Sequence, residues 1–278
     1  MKKILITGSS GYIGRHLASL LYAYDEYETT GLDRVYRPQP VNSEFIEQNI
    51  LENMDIPGEF DTVVHLAGLV NVSMSMQAPS DYYRTNIVGT LNILERAQYD
   101  HFIFASTGAA RNPYSPYGMS KAVTEQLVRQ YCTLNKKKCT IFRFYNVIGT
   151  AGYPPTNVDG LMYNLIKAKE TGVFHLYGDD YDMLPDGTAI RDYLHVMEVC
   201  QAIKHAIDRP YSDSLVENLG HGKGYSVLEM VKIFKEVNNC DFTIKVMPRR
   251  EGDEAVTVLE DVSPYMQKRV TIQEMLKL

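Results

Sequence analysis

The chain has 278 residues, and its 28 basic and 34 acidic side chains give a formal charge of −6. This mild acidity, without a basic tract, argues against nucleic acid or an anionic membrane as the main partner. No stretch approaches the roughly 18 apolar residues of a membrane span. The length suits one large domain or two smaller ones. We therefore expect a soluble, cytoplasmic protein.

The four cysteines are scattered along the chain, at positions 132, 139, 200 and 240. They form no CxxC motif, and no pair of histidines lies near them. Buried free thiols therefore explain them better than disulfides or a metal site. We predict that the protein has no metal site.

The opening of the chain has the pattern of a strand, a glycine turn and a helix. A short apolar run at 4–6 is typical of a strand buried on both faces. Gly8, Gly11 and Gly14 follow at three-residue spacing, as the apolar pattern becomes helical near Tyr12–Tyr22. Such glycines allow a tight turn, a close approach of pyrophosphate and close helix–strand packing. The unpaired N–H groups at the helix start would bind the phosphates.

Three spaced glycines alone fit a plain turn equally well, but an acidic residue further on strengthens the cofactor interpretation. Asp33 ends a second apolar stretch, at 29–32, and lies 25 residues after Gly8. A carboxylate there can accept hydrogen bonds from both ribose hydroxyls and would repel a 2′-phosphate. The pattern therefore favours NAD over NADP.

Strands and helices alternate through the first half of the chain. Buried strands are predicted at 4–7, 29–32, 63–66, 102–105 and 139–144, with helices near 12–22, 78–97 and 121–134. This alternation predicts an α/β fold with a Rossmann-type, doubly wound parallel sheet. Ligands bind beyond the carboxyl ends of such strands. The notable polar or glycine positions lie at those ends: Gly8, Asp33, Ala67, Gly68, Ser106, Thr107 and Asn146.

The amino-acid composition changes in the second half of the chain, and this change predicts a smaller C-terminal substrate-binding lobe. Residues 150–160 are rich in Gly, Pro and Asn, so the chain leaves the regular sheet there. Helices are predicted at 161–169 and 226–237, and a strand at 242–247. We assign 1–149 to a dinucleotide-binding domain, to which 188–208 return. The smaller lobe then comprises 150–187 and 209–278.

The motif Tyr-Gly-Met-Ser-Lys at 117–121 opens a helix. Positions i and i+4 share one helix face, so the Tyr117 hydroxyl and the Lys121 ammonium can point into the same site. A free tyrosine has a pKa near 10. A neighbouring ammonium and an oxidised nicotinamide would lower that pKa and make Tyr117 a general base. Ser106 and Thr107, ending the preceding strand, could hydrogen-bond the same substrate hydroxyl.

Eight motifs together resemble a known family. They are Thr-Gly-Ser-Ser-Gly-Tyr-Ile-Gly at 7–14, His-Leu-Ala-Gly-Leu at 65–69, Asn-Ile-Val-Gly-Thr at 86–90, the 117–121 motif, Arg-Phe-Tyr-Asn at 143–146, Asp-Gly-Thr-Ala-Ile-Arg-Asp-Tyr-Leu-His at 186–195, Asn-Leu-Gly at 218–220 and Arg-Arg-Glu-Gly-Asp at 249–253. The sequence resembles the extended short-chain dehydrogenase/reductases, and most closely the UDP-glucose 4-epimerases. The resemblance covers nearly the whole chain, and the motifs at 186–195 and 249–253 are the more specific to sugar-nucleotide epimerases.

This resemblance implies NAD-dependent inversion of C4 of a UDP-hexose through a transient 4-keto sugar. Its implied catalytic residues are Thr107, Tyr117 and Lys121. The implied cofactor contacts are Gly8, Gly11, Tyr12, Ile13, Gly14, Asp33, Asn49, Ile50, Leu66, Ala67, Gly68, Asn86, Ser106, Tyr117, Lys121 and Tyr145. The implied substrate contacts are Thr107, Asn146, Leu161, Tyr177, Arg191, Tyr193, Arg250, Asp253 and Thr257. Thr257 stands where the family has a gatekeeper side chain beside the hexose, so UDP-GlcNAc and UDP-GalNAc are further expected substrates.

Departures from the family pattern leave other functions open. Only nine residues separate Thr107 from Tyr117, a shorter loop than relatives have, Val70 replaces a cofactor-contacting lysine, and the chain ends early. A UDP-glucuronate epimerase or decarboxylase, or a non-catalytic NAD- or sugar-nucleotide-binding protein, therefore stays open. Gly108 and Ala109 count against a dehydratase, which usually has Asp-Glu there.

Structural explanations also exist for several polar residues. Arg191 and Asp192 could form a surface ion pair, and Arg249 and Arg250 could pair with Glu251 and Asp253 on an exposed turn. Tyr193 and His195 could be core residues, and we expect His65 and His195 to be structural. Helices at 91–97 and 123–131 could supply a four-helix contact in a homodimer.

Overall fold

The computed structural model describes residues 1–38, 44–53, 55–210, 214–260 and 270–278. In chain order the strands are β1 (Lys2–Thr7), β2 (Tyr27–Asp33), β3 (Phe45–Glu47), β4 (Glu59–His65), β5 (Gln98–Thr107), β6 (Lys138–Phe144), β7 (Asn146–Ile148), β8 (Val173–Tyr177), β9 (Ile190–His195), β10 (Leu215–Leu219), β11 (Gly224–Ser226), β12 (Thr243–Met247) and β13 (Val256–Thr257). The α-helices are α1 (Tyr12–Tyr22), α2 (Val72–Gln77), α3 (Pro79–Tyr83), α4 (Gly89–Arg96), α5 (Pro116–Leu134), α6 (Leu161–Thr171), α7 (Val196–Asp208), α8 (Val227–Val237) and α9 (Ile272–Leu276).

Seven strands form one parallel sheet in the order β10-β6-β5-β4-β1-β2-β3. Each neighbouring pair within it is parallel. One face carries a core that joins α1 and α7, and the other face carries a core that joins α4 and α5. Helices on both faces of a parallel sheet define the doubly wound fold that the strand–helix alternation predicted. The predicted fold class is confirmed.

The smaller lobe has its own strands and core. Strand β9 pairs with β7, β11 and β13, and β8 pairs with β12. The third hydrophobic core lies among α6, α8 and α9, with Phe174 and Phe234 among its buried side chains. Helix α8 begins with the capping box that the sequence shows, because Ser226 accepts from the Glu229 N–H and the Glu229 carboxylate accepts from the Ser226 N–H.

Two strands, β10 and β9, do not lie in the part of the molecule to which the sequence assigned them. Strand β10 joins the large sheet beside β6, although 209–278 were assigned to the smaller lobe. Its residues Leu219 and Val216 pack into the two cores that flank that sheet, which explains the placement. Strand β9 pairs outside the large sheet, whereas α7, which follows it, packs against α1. Residues 188–208 therefore contribute to both parts of the molecule.

The predicted helix at 78–97 is three pieces rather than one. Helix α3 begins at Pro79, a π-helical turn follows at Arg84–Val88, and α4 continues from it. At this wide turn the Asn86 backbone carbonyl accepts hydrogen bonds from the hydroxyls of Thr90, at 2.6 Å, and Thr124, at 3.1 Å. Apolar spacing does not reveal this turn or its side-chain bonds.

Candidate active site

The glycine turn between β1 and α1 is held by backbone packing. Gly8 has φ of +71°, and a Cβ there would lie 2.7 Å from the Ala67 nitrogen. A Cβ on Gly14 would lie 2.3 Å from the Gly8 oxygen, so helix and turn touch directly. Gly11, the N-cap of α1, would bring its Cβ near only one atom, the same oxygen at 3.0 Å. The three glycines therefore form a turn whose outer side is open toward the helix N-terminus, as a dinucleotide pyrophosphate requires.

Asp33 ends β2 next to this turn. Its carboxylate accepts from the Ser10 N–H at 3.1 Å and from the Val35 N–H at 3.4 Å. The acid predicted to bind ribose therefore lies beside the glycine turn, and its hydrogen bonds also order the backbone there. Ribose recognition would need an arrangement of this kind.

The first turn of α1 is tied to the rest of the site. The Tyr12 hydroxyl donates to the Gly149 oxygen at 2.5 Å, and Ile13 packs against the core of the large sheet. Asn49 accepts from the Leu51 N–H, while the Ile50 side chain is buried and fills the space that a Cβ on Gly89 would need. Tyr12, Asn49 and Ile50 therefore make contacts that fix the backbone around them.

The tip of β4 brings Leu66, Ala67 and Gly68 beside α5. A Cβ on Gly68 would lie 2.9 Å from Asn86 Oδ1 and 3.4 Å from Lys121 Nζ. Asn86 is buried, and its Oδ1 accepts from the Leu69 N–H at 2.8 Å. Its Nδ2 donates to Ser120 Oγ at 2.8 Å. Residues from three separate motifs thus meet at one point.

Tyr117 lies near Thr107, whose hydroxyl oxygen accepts from the Ala109 N–H at 3.3 Å. The Tyr117 ring is buried at the start of α5, where Ser115 caps the helix and Pro116 occupies its first position. Burial raises the pKa of Tyr117 to about 12, and the nearby Thr107 hydroxyl acts in the opposite direction. The expected lowering of this pKa by Lys121 is therefore not found in the chain alone, because desolvation of the phenol is the larger effect.

Lys121 lies one helical turn beyond Tyr117 and is buried. Its Nζ donates to the Ala105 oxygen at 2.8 Å and lies 4.7 Å from the centre of the Phe104 ring. Burial lowers the pKa of Lys121 to about 8, and the charge of Glu125 partly offsets this. The ammonium can therefore gain or lose a proton near neutral pH. Its charge, when present, favours the phenolate form of a neighbouring tyrosine.

Ser106 makes a contact that the sequence pattern did not indicate. Its hydroxyl donates to Glu125 at 2.5 Å, and the same carboxylate accepts from Arg143 Nε at 2.8 Å. Sequence reasoning missed Glu125. The available signal was its spacing, because it follows Lys121 by four residues and therefore shares its helix face.

A pocket of about 190 Å³ opens beside the Tyr145 ring. Thr257, Glu254, Gly108 and Ala109 also line it. The Thr257 hydroxyl donates to Glu254 at 2.8 Å, so this small side chain is fixed at the pocket wall. A Cβ on Gly108 would lie 3.0 Å from the Tyr145 ring. The short loop after Thr107 therefore packs closely against Tyr145, which lies between β6 and β7.

Two arginines lie further along the same side. Arg191 donates to Asp253 at 2.8 Å, and not to its sequence neighbour Asp192. The Arg250 guanidinium stacks on the Tyr177 ring at 3.9 Å and donates to the backbone oxygen of Asp159 at 2.9 Å. Its Nη2 lies 3.8 Å from the Asp159 carboxylate. Pairing of Arg250 with acids on its own turn, the structural alternative, is therefore not seen. Both arginines are partly buried and hold their guanidinium groups in fixed orientations, which suits a diphosphate.

The remaining predicted substrate residues differ in how exposed they are. Asn146 donates from Nδ2 to the Asp192 oxygen at 3.2 Å, and Leu161 begins α6 partly buried. Tyr193 is only 3% exposed and packs in the core of the smaller lobe. The structural explanation therefore fits Tyr193, because its side chain packs among residues from distant parts of the chain. His65 is buried between the hydroxyls of Thr7 and Thr90, as expected for a structural histidine.

Comparisons with known proteins agree with this geometry. The model of the NAD dependent epimerase/dehydratase family matches residues 4–220. A UDP-glucose 4-epimerase of Erwinia amylovora is 34% identical over 300 positions, which cover 90% of this chain and 87% of that protein. The Bos taurus UDP-glucose 4-epimerase is 31% identical, with coverage of 91% and 87%.

Solved structures show the same similarity. The UDP-glucose 4-epimerase of Bifidobacterium longum, in complex with NAD⁺ and UDP, superimposes with a TM-score of 0.85 at 26% identity, covering 99% of this chain and 96% of that chain. The UDP-Glc/GlcNAc 4-epimerase of Campylobacter jejuni gives a TM-score of 0.78 at 30% identity, with coverage of 100% and 97%.

The fold and the crevice define a Rossmann-type dinucleotide-binding protein with a tyrosine–lysine pair at its centre. Within that class, the chain belongs to the NAD dependent epimerase/dehydratase family, and it is an extended short-chain dehydrogenase/reductase. The resemblance inferred from the sequence motifs is confirmed. Across the described ranges, no helix has both the length and the apolar character needed to cross a bilayer.

Proposed function

We propose that this chain inverts C4 of a UDP-hexose, with NAD as its bound cofactor. The observation that carries the proposal is the position of Tyr117 near Thr107 at the tip of β5, with Lys121 one helical turn away. The family and the UDP-glucose 4-epimerases that the chain resembles support it. The open glycine turn and Asp33 are the residues that would hold the cofactor.

In this mechanism Tyr117 takes the proton from the 4-hydroxyl of the sugar and later returns it. Thr107 holds the same hydroxyl in line with the phenol, and Lys121 stabilises the phenolate that forms. When bound, NAD⁺ supplies an acceptor for the hydride on C4 of the sugar, and a positively charged ring that favours the phenolate. Burial of Tyr117 excludes water from the proton transfer.

Inversion requires the keto sugar to present its other face, so the protein must bind the nucleotide firmly and the hexose loosely. Arg191 and Arg250 would bind the diphosphate, and the Tyr177 ring would offer a face to uracil. The pocket beside Tyr145 and Thr257 provides space in which the hexose can turn. We also propose the predicted division of labour, with the large sheet domain for NAD and the smaller lobe for the UDP-sugar.

Replacing Tyr117 with Phe tests the proposal. We expect turnover of UDP-galactose to fall by about 10²- to 10⁴-fold, because the proton acceptor is removed while the ring remains. NAD and UDP binding, measured by calorimetry, should be retained. Tyr114→Phe, in the exposed loop before α5, is the control and should keep wild-type activity. Activity of Tyr117→Phe within a few-fold of wild type would contradict the role of Tyr117.

Product analysis separates this function from the alternatives. The wild-type protein, incubated with NAD and UDP-galactose, should yield UDP-glucose without net release of NADH. Conversion of UDP-glucuronate but not of UDP-galactose would instead favour a uronate-modifying enzyme. A dehydrated product would favour a dehydratase, and no product from either sugar would favour a binding protein.

We further propose that UDP-GlcNAc and UDP-GalNAc are substrates. Thr257 is small and lies on the pocket wall, where it leaves room beside Tyr145 and Gly108. The wild-type protein should therefore turn over acetylated and plain sugars at similar rates, and Thr257→Tyr should lose only the acetylated ones. Unchanged turnover of the acetylated sugars by Thr257→Tyr would contradict this proposal.

Assembly and location complete the proposal. We propose a homodimer that pairs through α4 and α5, which carry the predicted dimer helices, and Val88 and Val123 beside this face are exposed apolar residues. Light scattering should then give twice the chain mass of 31.6 kDa. We also propose that the protein works in the cytoplasm, where its cofactor and sugar-nucleotide substrates would be found.

A further inference from the structure

Helix α5 and strand β5 are joined by three consecutive contacts. Tyr117, Lys121 and Glu125 lie one turn apart on α5, and each faces a residue of the strand tip. Tyr117 lies near the Thr107 hydroxyl, and Lys121 Nζ donates to the backbone oxygen of Ala105. Glu125 completes the row by accepting from the Ser106 hydroxyl. The reacting groups and Glu125 therefore share one rigid connection.

Glu125 is almost completely buried, and a cation faces it from the neighbouring strand. Arg143 lies opposite Ser106 in the register of β5 and β6. Its Nε and Nη2 donate to the two oxygens of Glu125 at 2.8 and 2.5 Å. The Arg143 side chain is 22% exposed, against 3% for Glu125. The carboxylate therefore lies on the inner side of this ion pair, toward Lys121.

The charges around Lys121 come from several elements. On α5 itself it faces Glu125, while His65 of β4 and the Phe104 ring of β5 lie on the sheet side. The pKa of His65 is lowered to about 3, chiefly by burial, so this histidine is neutral at physiological pH. Beyond these groups, Tyr82 of α3 faces Tyr117, and Arg143 of β6 faces Glu125. Among these groups Glu125 is the acidic side chain that acts on Lys121.

We propose that Glu125 is a positioning residue that keeps the Lys121 ammonium charged and fixes the Ser106–Thr107 strand tip beneath Tyr117. This inference rests on the proposed function of Tyr117 and Lys121. Removing the Glu125 charge would leave the buried Lys121 ammonium without its acidic neighbour, while the Arg143 cation stays on β6. Like charges and burial both disfavour the ammonium, so Lys121 would lose its proton at a lower pH.

Two substitutions with opposite expected effects test the inference. Glu125→Gln keeps the size and hydrogen-bonding shape of the side chain but removes its charge. Arg143→Gln removes the cation that offsets this charge. The midpoint of Lys121 deprotonation should fall by about one pH unit in Glu125→Gln and rise in Arg143→Gln. Damage to packing alone would not move the midpoint in opposite directions in the two variants.

The midpoint is measured on the cofactor-free protein by NMR titration of isotope-labelled lysines, with the Lys121 signal assigned by its loss in Lys121→Arg. The alkaline limb of the pH profile of kcat/KM should move with it, to lower pH in Glu125→Gln. Ser106→Ala, which removes the hydroxyl contact but keeps the charge, should leave the midpoint unchanged. Denaturant unfolding shows whether each variant is folded.

The outcomes are distinguishable from failure of the proposed function. An unchanged Lys121 midpoint in a folded Glu125→Gln variant, or the same direction of shift in both variants, would overturn the inference. If Glu125→Gln does not fold, Arg143→Gln decides alone, and an unchanged or lower midpoint contradicts the inference. Wild-type protein without epimerase activity would contradict the proposed function. The NMR titration would still test the effect of Glu125 on Lys121, because it does not depend on activity.

Discussion

The two sides of the crevice are built differently. On the proposed cofactor side, the surface is backbone: Gly8 and Gly14 leave no room for a Cβ, and Asp33 accepts from backbone N–H groups. On the proposed substrate side, the surface is made of long side chains, with Arg191 and Arg250 held by Asp253, Asp159 and the Tyr177 ring. The cofactor side is therefore preformed, whereas the substrate side is held in place by contacts that can be exchanged.

This difference fits what each side would have to do. A cofactor that stays bound through the reaction gains from a rigid site, because little freedom is lost on binding. A substrate that must enter, turn and leave needs contacts that form and break. Arginine side chains paired with carboxylates can transfer some of their hydrogen bonds to a diphosphate without moving the backbone. Mutations should therefore act through stability on one side and through affinity on the other.

The largest effect is expected on the cofactor side, from Gly8→Ala. The left-handed conformation costs a Cβ about 1–2 kcal/mol, and at Gly8 the new methyl would also overlap backbone atoms of residues 66 and 67. We expect a loss of unfolding free energy of about 3 kcal/mol or more, together with loss of NAD binding. Denaturant unfolding and calorimetry measure the two quantities.

Gly172→Ala provides the matched control for Gly8→Ala. Gly172 follows α6 with a similar φ of +79°, but among the residues that the structure describes no atom beyond its two chain neighbours lies within 4 Å of the place of its Cβ. This variant should lose only the conformational cost, about 1–2 kcal/mol, and bind NAD normally. Equal destabilisation of the two variants would show that the close approach at Gly8 is not important.

A smaller effect is expected on the substrate side, from Arg250→Ala. Losing charge-assisted bonds of about 1.5–3 kcal/mol should raise KM for the UDP-sugar by about 10- to 100-fold. Turnover at saturating substrate and NAD binding should change little, because Arg250 lies away from Tyr117 and from the glycine turn. Steady-state kinetics and calorimetry check both statements.

The neighbouring Arg249 supplies the control and the smallest effect. It stacks on Tyr181 at 3.9 Å, as Arg250 stacks on Tyr177, but it pairs with the exposed Asp180. Exposed ion pairs contribute little, so Arg249→Ala should change KM by less than about twofold and barely alter stability. Similar KM values for the two alanine variants would remove the distinction between the two arginines and with it the proposed diphosphate site.

Sequence patterns were most informative where a local rule acts. The spacing of the three glycines, the acid after the second strand and the tyrosine four residues before a lysine each follow from short-range geometry, and the structure brings these residues together. Prediction was weaker where distant segments meet. The π-helical turn at Asn86, the pairing of β10 with β6 and the burial of Tyr193 depend on partners far along the chain.

The partners of the charged residues show the same limit. Sequence proximity suggested Arg191 with Asp192, and Arg250 with acids on its own turn, but the structure pairs Arg191 with Asp253 and Arg250 with Asp159. The pKa of Tyr117 also depended on burial, a property that neighbouring residues in sequence do not express.

By itself the sequence determined the class of fold, the cofactor turn and the tyrosine–lysine pair, because glycine sterics and helix periodicity act within a few residues. Only the tertiary structure decided which acid holds each arginine, that the short loop keeps Thr107 near Tyr117, and that Glu125 lies beside Lys121 and Ser106. These contacts depend on desolvation and on the register of strands that are far apart in the chain.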